Sequence, residues 1–375
     1  MTTAAPRTVL NVNTLATAVP VIAAVALIFV WGRELPGWLV AVVAVLLAGA
    51  VLSAVHHAEV VAHRVGEPYG SLVLAVAVTV IEVALIVTMM IGGGEKSQSL
   101  ARDTVFSAVM LTCNGIVGLS LLINVRRQKV AVFNPDGMVA ALATVTTAAT
   151  LSLVLPTFTT SAPGPQFSPG QLAFAAVASL ALYALFVGMQ TIRHRDYFLP
   201  RPIMLPDGTV RQDSDESSHA DPPSTKTALI SLLLLFLALV AVVGHAKTVS
   251  PSIEAGVKSA GLPQSVVGVI IALLVLLPET VAAARAARRN RLQTSMNLAL
   301  GSAMASIGLT IPVIAVAMIW LDGPLVLGLG PTHMVLLILT VFTSGLTLLR
   351  GRATLLQAGV QLSVLAAFLF LAVSP

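Results

Sequence analysis

Charged residues are scarce in this 375-residue chain: Asp, Glu, Lys and Arg together make up 10% of it. Soluble domains use about 25% charged residues, so this composition excludes a soluble globular class. Cysteine is scarcer still. Cys113 stands alone in the sequence, which excludes a disulfide framework and thiolate metal clusters, and we interpret it as a packing residue. Hydrophobic residues make up 57% of the chain and the mean hydropathy is +0.94, which indicates an integral membrane protein.

The apolar residues are grouped in stretches long enough to cross a bilayer, which takes about 20 residues of helix. We therefore predict an all-α membrane protein with about eleven transmembrane helices. They are centred near residues 22, 47, 80, 113, 148, 181, 238, 273, 307, 340 and 364. The first stretch, Thr14 to Trp31, has no small-residue cleavage site and a second span follows it at once. We interpret it as helix 1 and not as a signal peptide.

Positive charge is confined to short loops. Of the 21 Lys and Arg residues, 16 lie in the N-terminal tail or in loops that eleven crossings place on the same side, namely 59–68, 126–137, 193–227, 285–293 and 350–353. Such loops face the cytoplasm. We predict an inner (plasma) membrane protein with its N-terminus cytoplasmic and its C-terminus outside. The expected partners are membrane lipid, inorganic cations and protons, with a homo-oligomer left open and no nucleic acid.

The loop from Arg193 to Lys226 is the long one, and it is rich in proline and charge. It predicts four parts: a tail with helix 1 (1–35), a first repeat with helices 2–6 (36–192), a cytoplasmic linker (193–227) and a second repeat with helices 7–11 (228–375). Each repeat has five crossings. Because five is odd, the second repeat must enter the membrane in the opposite direction, as in the inverted repeats of many secondary transporters.

The two predicted repeats also echo each other in sequence. Ser71 to Glu82 in helix 3 aligns with Gly268 to Glu279 in helix 8, with 11 residues from start to glutamate in both. In the next helices, polar and glycine positions recur at a constant offset of 190: Thr104, Ser107, Thr112, Gly118, Leu119 and Ser120 against Thr294, Asn297, Ser302, Gly308, Leu309 and Thr310. His57-Ala58 against His245-Ala246 is a fainter echo.

Glu82 and Glu279 stand in the middle of apolar spans at matching positions. An ionised carboxylate at that depth is costly unless it is paired, so each is a functional-site hypothesis. Burial favours the protonated form of a carboxyl group and a nearby cation favours the ionised form, so the same group can hold either. Carboxylate, hydroxyl and amide oxygens suit Ca²⁺, Na⁺ or Mg²⁺. Further candidate ligands are Thr79, Ser107, Thr112, Asn114, Asn297, Ser302 and Ser306.

Pro278 directly precedes Glu279. Proline removes one backbone hydrogen bond, which frees a carbonyl for a cation if the helix is locally broken. We further expect helices 3 and 8 to run antiparallel, with both glutamates facing a shared cavity lined by helices 4 and 9.

Several runs resemble those of bacterial sodium or calcium/proton antiporters of the cation/Ca²⁺ exchanger superfamily, in its calcium/proton exchanger branch. They are GEPYGSLVLAVAVTVIEVAL (66–85), LLPET (276–280) and NLALGS (297–302). The resemblance implies that Glu82 and Glu279 bind the exchanged cation. The branch motif Gly-Asn-Ala-x-Glu reads VTVIE (78–82) and VLLPE (275–279) here. Because the motif asparagine is absent from both, Na⁺ or K⁺ remains open beside Ca²⁺.

Our interpretation is a secondary cation/proton antiporter that works by alternating access, without a cofactor. A cation channel and an intramembrane hydrolase are the alternatives: uphill, saturable flux would exclude the first, and an assay with a membrane peptide would decide the second. The glutamates also allow a purely structural hydrogen-bonded pair. His56, His57, Glu59 and His63 could bind metal, although interfacial histidines are favoured over it. Acidic residues in the linker, from Asp213 to Asp221, fit a solvated segment.

Overall fold

The computed structural model describes residues 12–33, 35–66, 69–93, 98–200, 203–204, 210–211, 223–321 and 323–375. The acidic linker residues between Asp213 and Asp221 lie outside these ranges. Within the described residues the chain forms eleven long helices and four two-residue strands, which confirms the predicted all-α class.

Helix α1 lies outside the two predicted repeats and spans Val12–Val30. The helices of the first repeat are α2 Gly37–Val65, α3 Tyr69–Gly93, α4 Leu100–Gln128, α5 Pro135–Thr157 and α6 Pro169–Arg193. Those of the second are α7 Thr225–Ser259, α8 Ser265–Arg288, α9 Leu292–Ala317, α10 Pro331–Leu348 and α11 Leu355–Val373. Strand β1 (Ala131–Val132) pairs with β4 (Arg352–Ala353), and β2 (Ile203–Met204) pairs with β3 (Val210–Arg211), both antiparallel.

Nine of these helices are long and apolar enough to span a membrane; α1 and α3 contain shorter apolar runs, Thr14–Val30 and Val76–Ile91, within the described residues. Helices α2 and α7, with 29 and 35 residues, are longer than a bilayer core needs. The loop predicted at 59–68 is consequently helical as far as Val65. A helix end is set by where the backbone hydrogen bonds stop and not by the membrane boundary, so sequence places it poorly.

The helix ends meet at two opposite sides of the bundle. We call the side where α6 ends and α7 begins the linker end. There, Arg64 donates a hydrogen bond to the Thr225 hydroxyl at 2.8 Å, and β1 pairs with β4. At the opposite end, the amide of Val326 donates to the carbonyl of Gln98 at 3.0 Å. Gly268, at the start of α8, lies there against Asp103, at the start of α4. Since α3 leads into α4 at this end, α3 and α8 run antiparallel.

The two repeats pack on each other with approximate symmetry. Their first helices, α2 and α7, pack together. Helix α4 packs on α8 and α11, while its counterpart α9 packs on α3 and α6. Gly118 allows α4 to approach α11, and Gly308 allows α9 to approach α6. A Cβ on Gly118 would meet the Leu362 side chain at 3.0 Å, and one on Gly308 would meet Tyr183 Cβ at 2.5 Å. The offset of 190 between these glycines thus marks equivalent close contacts of inverted repeats.

Helix α1 is attached to the repeats through its own backbone carbonyls. Pro20 cannot donate to the carbonyl of Ala16, which lies four residues earlier. Ser53 donates to that oxygen at 2.5 Å and His57 Nε2 at 3.0 Å. His245 Nε2 donates to the carbonyl of Ala23 at 2.8 Å. The histidine echo between α2 and α7 is therefore a pair of contacts to α1.

Candidate cation site

Glu82 lies in the middle of α3 and is 2% exposed. The Ser306 hydroxyl of α9 donates a hydrogen bond to Glu82 Oε2 at 3.0 Å. Glu82 Oε1 has no hydrogen-bond partner within normal hydrogen-bond geometry. The buried Thr310 hydroxyl, one turn beyond Ser306, lies close to Glu82 and interacts with it. A buried carboxyl oxygen is thus left with unused capacity, which costs free energy unless an ion, a proton or water completes the site.

Glu279 occupies the corresponding position in α8 and is 8% exposed. Its Oε2 is also without a hydrogen-bond partner. Glu279 interacts electrostatically with Glu82, so the antiparallel helices bring the two carboxyl groups into one region. Two ionised carboxylates in a low-dielectric interior repel each other strongly, and a shared cation or a proton removes that repulsion.

A cavity of about 360 Å³ leads from Glu279 toward the linker end. Pro278, Asn297 and Ser302 line it beside Glu279. Its other polar lining residues are Glu59 of α2, Gln190 of α6 and Thr294 at the start of α9. These elements end or begin at the linker end, so the cavity reaches Glu279 from that side.

Glu82 is not among the residues that line this cavity, so one cavity shared by both glutamates stays a prediction. Along α9, the lining residues run from Thr294 to Ala305. Glu82 is bonded to the next residue, Ser306. Its carboxyl group therefore lies beyond the closed end of the cavity, sequestered by α9.

Helix α8 remains continuous through Pro278, and α3 is continuous as well. The condition under which Pro278 would free a carbonyl for a cation, a local break of the helix, is thus not met in α8. Proline removes a single backbone hydrogen bond, and in a membrane the neighbouring groups tolerate such a loss without unwinding the helix. The Thr280 hydroxyl, two residues later, donates to the Leu276 carbonyl at 2.7 Å. Coordination by side chains is accordingly better supported here than coordination by an unwound backbone.

The other predicted ligands divide by where their hydrogen bonds go. In α4, Ser107 donates to the Asp103 carbonyl at 2.5 Å and Thr112 to the Ala108 carbonyl at 2.7 Å. Each hydroxyl is thus bonded to its own helix. Thr79 is buried one turn before Glu82.

The two predicted amide ligands are held by other elements. Asn114 donates to the Thr340 hydroxyl at 3.0 Å, although its Oδ1 has no partner. Asn297 donates to the Phe198 carbonyl at 2.7 Å while lining the cavity. Among the described contacts, a hydroxyl and not an amide bonds the buried Glu82.

Helix α4 contains a π-helical segment, Leu111–Ile116, next to this region. Thr112 and Asn114 belong to it, and both are fully buried. Such segments insert an extra residue into a helical turn and are frequent at functional sites. The segment changes the register of α4, so regular helical spacing along the sequence does not give the directions of the polar residues within and beyond it.

Sequence reasoning did not assign Thr310, Gln190 and Thr294 to the site. Thr310 carried a signal, because it lies one turn from Ser306 on the same helix. Gln190 also lies in a π-helical segment, Met189–Arg193, where a periodicity argument fails. Glu59 was grouped with nearby histidines, yet the described residues contain no cluster of three or more His, Cys, Asp or Glu that could hold a metal ion.

Comparison with known proteins identifies the class of this site. Residues 35–192 and 230–374 match the family described as sodium/calcium exchanger protein. The chain is 46% identical to the putative ionic transporter y4hA of Sinorhizobium fredii (strain NBRC 101917 / NGR234) over 334 residues, which are 88% of this chain and 87% of that protein. It is 34% identical to the sodium-potassium/proton antiporter ChaA of Escherichia coli (strain K12) over 359 residues, 93% of each.

The fold is shared with solved exchangers. The structure of native YfkE superposes with a TM-score of 0.71 at 16% identity, covering 96% of this chain and 99% of that one. The H⁺/Ca²⁺ exchanger CAX gives 0.67 at 18% identity, covering 95% and 91%. The chain belongs to the sodium/calcium exchanger family, whose members are secondary transporters of inorganic cations and not enzymes. This confirms the resemblance seen in the sequence, and the intramembrane hydrolase hypothesis is wrong.

Proposed function

We propose that this protein exchanges Na⁺, K⁺ or Ca²⁺ for protons, and that Glu82 and Glu279 bind both cation and proton. One observation carries the proposal: two buried carboxyl groups from inverted repeats interact electrostatically, and each retains an oxygen without a partner. A buried pair that served structure alone would be expected to have its oxygens satisfied. Groups left open in this way suit a ligand that comes and goes.

The conformation suggests how exchange proceeds. The cavity at Glu279 admits a cation from the linker end, while Glu82 and Ser306 lie beyond its closed end. A cation bound between the carboxylates displaces their protons, and the transporter then closes the linker end and opens the opposite end. Protons arriving from that side release the cation. The empty, doubly ionised site is too costly to cross the barrier, which couples the two fluxes.

The donor set bears on which cation is moved. Oxygen donors from carboxylates and hydroxyls accept Na⁺, K⁺ and Ca²⁺ alike. The branch asparagine is missing from both motifs, and the amide of Asn297 is bonded to the Phe198 carbonyl. Together with the 34% identity to ChaA, named a sodium-potassium/proton antiporter, this favours a monovalent cation as the principal substrate, with Ca²⁺ as the second candidate.

The supporting residues have graded roles in this proposal. Ser306 and Thr310 complete the site at Glu82, and Ser302 solvates the cation beside Glu279. Asn297 lines the cavity there but stays bonded to the Phe198 carbonyl. Pro278 shapes the cavity wall. Thr79, Ser107, Thr112 and Asn114 hold the surrounding helices in place.

The placement in the membrane is part of the same proposal. The linker end carries the loops that contain most of the positive charge, so we assign it to the cytoplasm of a cell with the protein in its plasma membrane. The N-terminus is then cytoplasmic and the C-terminus outside. The division into 1–35, 36–192, 193–227 and 228–375 is retained as the domain organisation. It is supported by the family match over 35–192 and 230–374.

Flux in reconstituted vesicles tests the function. Vesicles with a trapped pH dye receive Na⁺, K⁺ or Ca²⁺ on one side under an imposed pH gradient. Antiport predicts saturable proton movement that requires the cation and drives the cation uphill. A cation flux that proceeds without counter-movement of protons would contradict antiport and favour a channel.

A further inference from the structure

A third acidic side chain, Glu59, lines the cavity that reaches Glu279. It lies near the linker end of α2, and Val55, one turn earlier on the same face, lines the cavity as well. Glu59 has no counterpart among the repeat echoes, because the matching region of α7 around His245 continues with Ala246 and Lys247. Its presence is therefore not explained by the symmetry of the two repeats.

The three acids lie at increasing depth. Glu59 is exposed, Glu279 is 8% exposed and Glu82 is 2% exposed. Glu279 interacts electrostatically with both of the others, and it lines the cavity together with Glu59, whereas Glu82 does not. A cation that enters from the linker end thus passes Glu59 first, then Glu279, and reaches Glu82 last.

The cavity opens where the local charge is otherwise unfavourable to a cation. Four arginines surround the end of α8: Arg285, Arg288, Arg289 and Arg291. Glu59 interacts electrostatically with His56 on its own helix and with Arg285, six residues beyond Glu279 on α8. The arginines raise the electrostatic energy of any cation at the mouth. A negative group there offsets them and raises the local cation concentration.

We infer that Glu59 is the entrance residue of the transport path, which attracts an inorganic cation into the cavity and passes it to Glu279. The inference rests on the proposed antiport. Because Glu59 stays accessible to solvent, it exchanges protons and cations with the bulk and takes no part in coupling. Glu59 lowers the half-saturating concentration of cation, and it does so only for cations that enter from the linker end.

Glu59→Gln provides the test. In oriented vesicles, the half-saturating cation concentration on the linker side should rise about fivefold or more at low ionic strength, with the maximal rate within about twofold of wild type. From the opposite side it should not change. Coulomb energy scales with charge, so the factor by which the half-saturating concentration rises for Ca²⁺ should approach the square of the factor for Na⁺. Both factors should decrease as added salt screens the field.

Glu254→Gln is the matched control, because Glu254 lies near the opposite end of α7, away from the cavity. Glu59→Cys allows a second test. Cys113 is buried, so a methanethiosulfonate reagent should modify position 59 selectively. A negatively charged reagent should restore the low half-saturating concentration, and a positively charged reagent of similar size should raise it further.

Two results would overturn the inference while leaving antiport intact. In one, the half-saturating concentration of Glu59→Gln matches that of wild type on both sides. In the other, reagents of opposite charge have the same effect, which would indicate that bulk and not charge matters. An absence of cation-dependent proton flux in the wild type would instead contradict the proposed function itself.

Discussion

Glu82 and Ser306 show how one residue pair sets the properties of this site. The serine comes from the second repeat and the glutamate from the first, so their hydrogen bond at 3.0 Å joins the two halves of the molecule. When the site rearranges, this contact must change, since Glu82 lies beyond the closed end of the cavity. This one hydrogen bond therefore takes part in the site at Glu82 and also connects the two repeats, whose relative movement opens and closes the site.

We predict that Glu82→Gln or Glu279→Gln abolishes exchange while the protein still folds. Glutamine has the volume of the protonated acid but neither titrates nor carries charge. Losing one charged partner of a buried ionic site costs about 3 to 5 kcal/mol, or at least roughly a hundredfold in cation affinity. Vesicle flux and a thermal unfolding midpoint in detergent measure the two quantities. Vigorous exchange in either variant would remove that residue from the mechanism.

Ser306→Ala should weaken apparent cation affinity roughly tenfold or more, because a hydrogen bond to a charged group contributes about 1.5 to 3 kcal/mol. Ser107→Ala is the control. The Ser107 hydroxyl bonds the Asp103 carbonyl of its own helix, so its removal should leave affinity nearly unchanged. Ser306→Thr keeps a hydroxyl and should retain part of the affinity. Equal losses in the two alanine variants would show that Ser306 has no special role.

At the scale of helices, the architecture depends on close approach at a few glycines. Gly118 and Gly308 occupy equivalent places in α4 and α9, where each helix meets the last helix of the other repeat. Small residues allow such approach, which strengthens packing where lipid supplies no hydrophobic driving force. The inverted repeats are thus joined crosswise and do not form separate bundles.

Gly308→Ala should lower the thermal unfolding midpoint, because its Cβ would lie 2.5 Å from Tyr183 Cβ. Overpacking of this kind costs about 1 to 3 kcal/mol. Gly118→Ala should cost less, since its nearest contacts would be 3.0 Å or longer. Gly345→Ala serves as the control, because nothing lies within 4 Å of its added Cβ. If all three variants melt alike, these glycines do not set the helix spacing.

The attachment of α1 predicts a coupled pair of substitutions. Ser53→Ala removes one donor from the Ala16 carbonyl, which Pro20 leaves without its helical partner. We expect a loss of about 1 kcal/mol or more in the free energy of unfolding. In a Pro20→Ala background the helix supplies its own donor, so Ser53→Ala should cost less. A double-mutant cycle on detergent-solubilised protein measures the difference, and additive effects would contradict this account.

Within the described residues, the cavity at Glu279 opens toward one end of the molecule. The cavity extends from Glu279 toward the linker end, while loop contacts such as Val326 to Gln98 connect elements at the opposite end. Alternating access requires a second state in which these relations are reversed. The approximate symmetry of the repeats provides this second state. If the two repeats exchange their conformations, the cavity opens to the end opposite the linker end.

Competition between protons and cations makes a prediction for the whole transport cycle. Protonated carboxyl groups cannot bind a cation, so lowering the pH should weaken apparent cation affinity and leave the maximal rate at saturating cation largely unchanged. Initial rates over a grid of pH and cation concentration measure this. A pH-independent affinity would indicate separate proton and cation sites, and the histidines would then be the first candidates as proton carriers.

The amino-acid sequence by itself determined the membrane class, the eleven helices and the inverted repeats, and it predicted a site at two glutamates. The length of the apolar stretches gives the membrane class and the helices. The odd number of crossings in each half and the constant offset of 190 give the inverted repeats, and a carboxylate in the middle of a span marks each glutamate. The tertiary structure decided what packing alone can set. It gave Glu82 a hydroxyl from the other repeat, closed the cavity before Ser306, and kept α8 intact at Pro278. It also directed His57 and His245 to α1. These outcomes depend on which helix faces which, and sequence spacing along one helix does not contain that information.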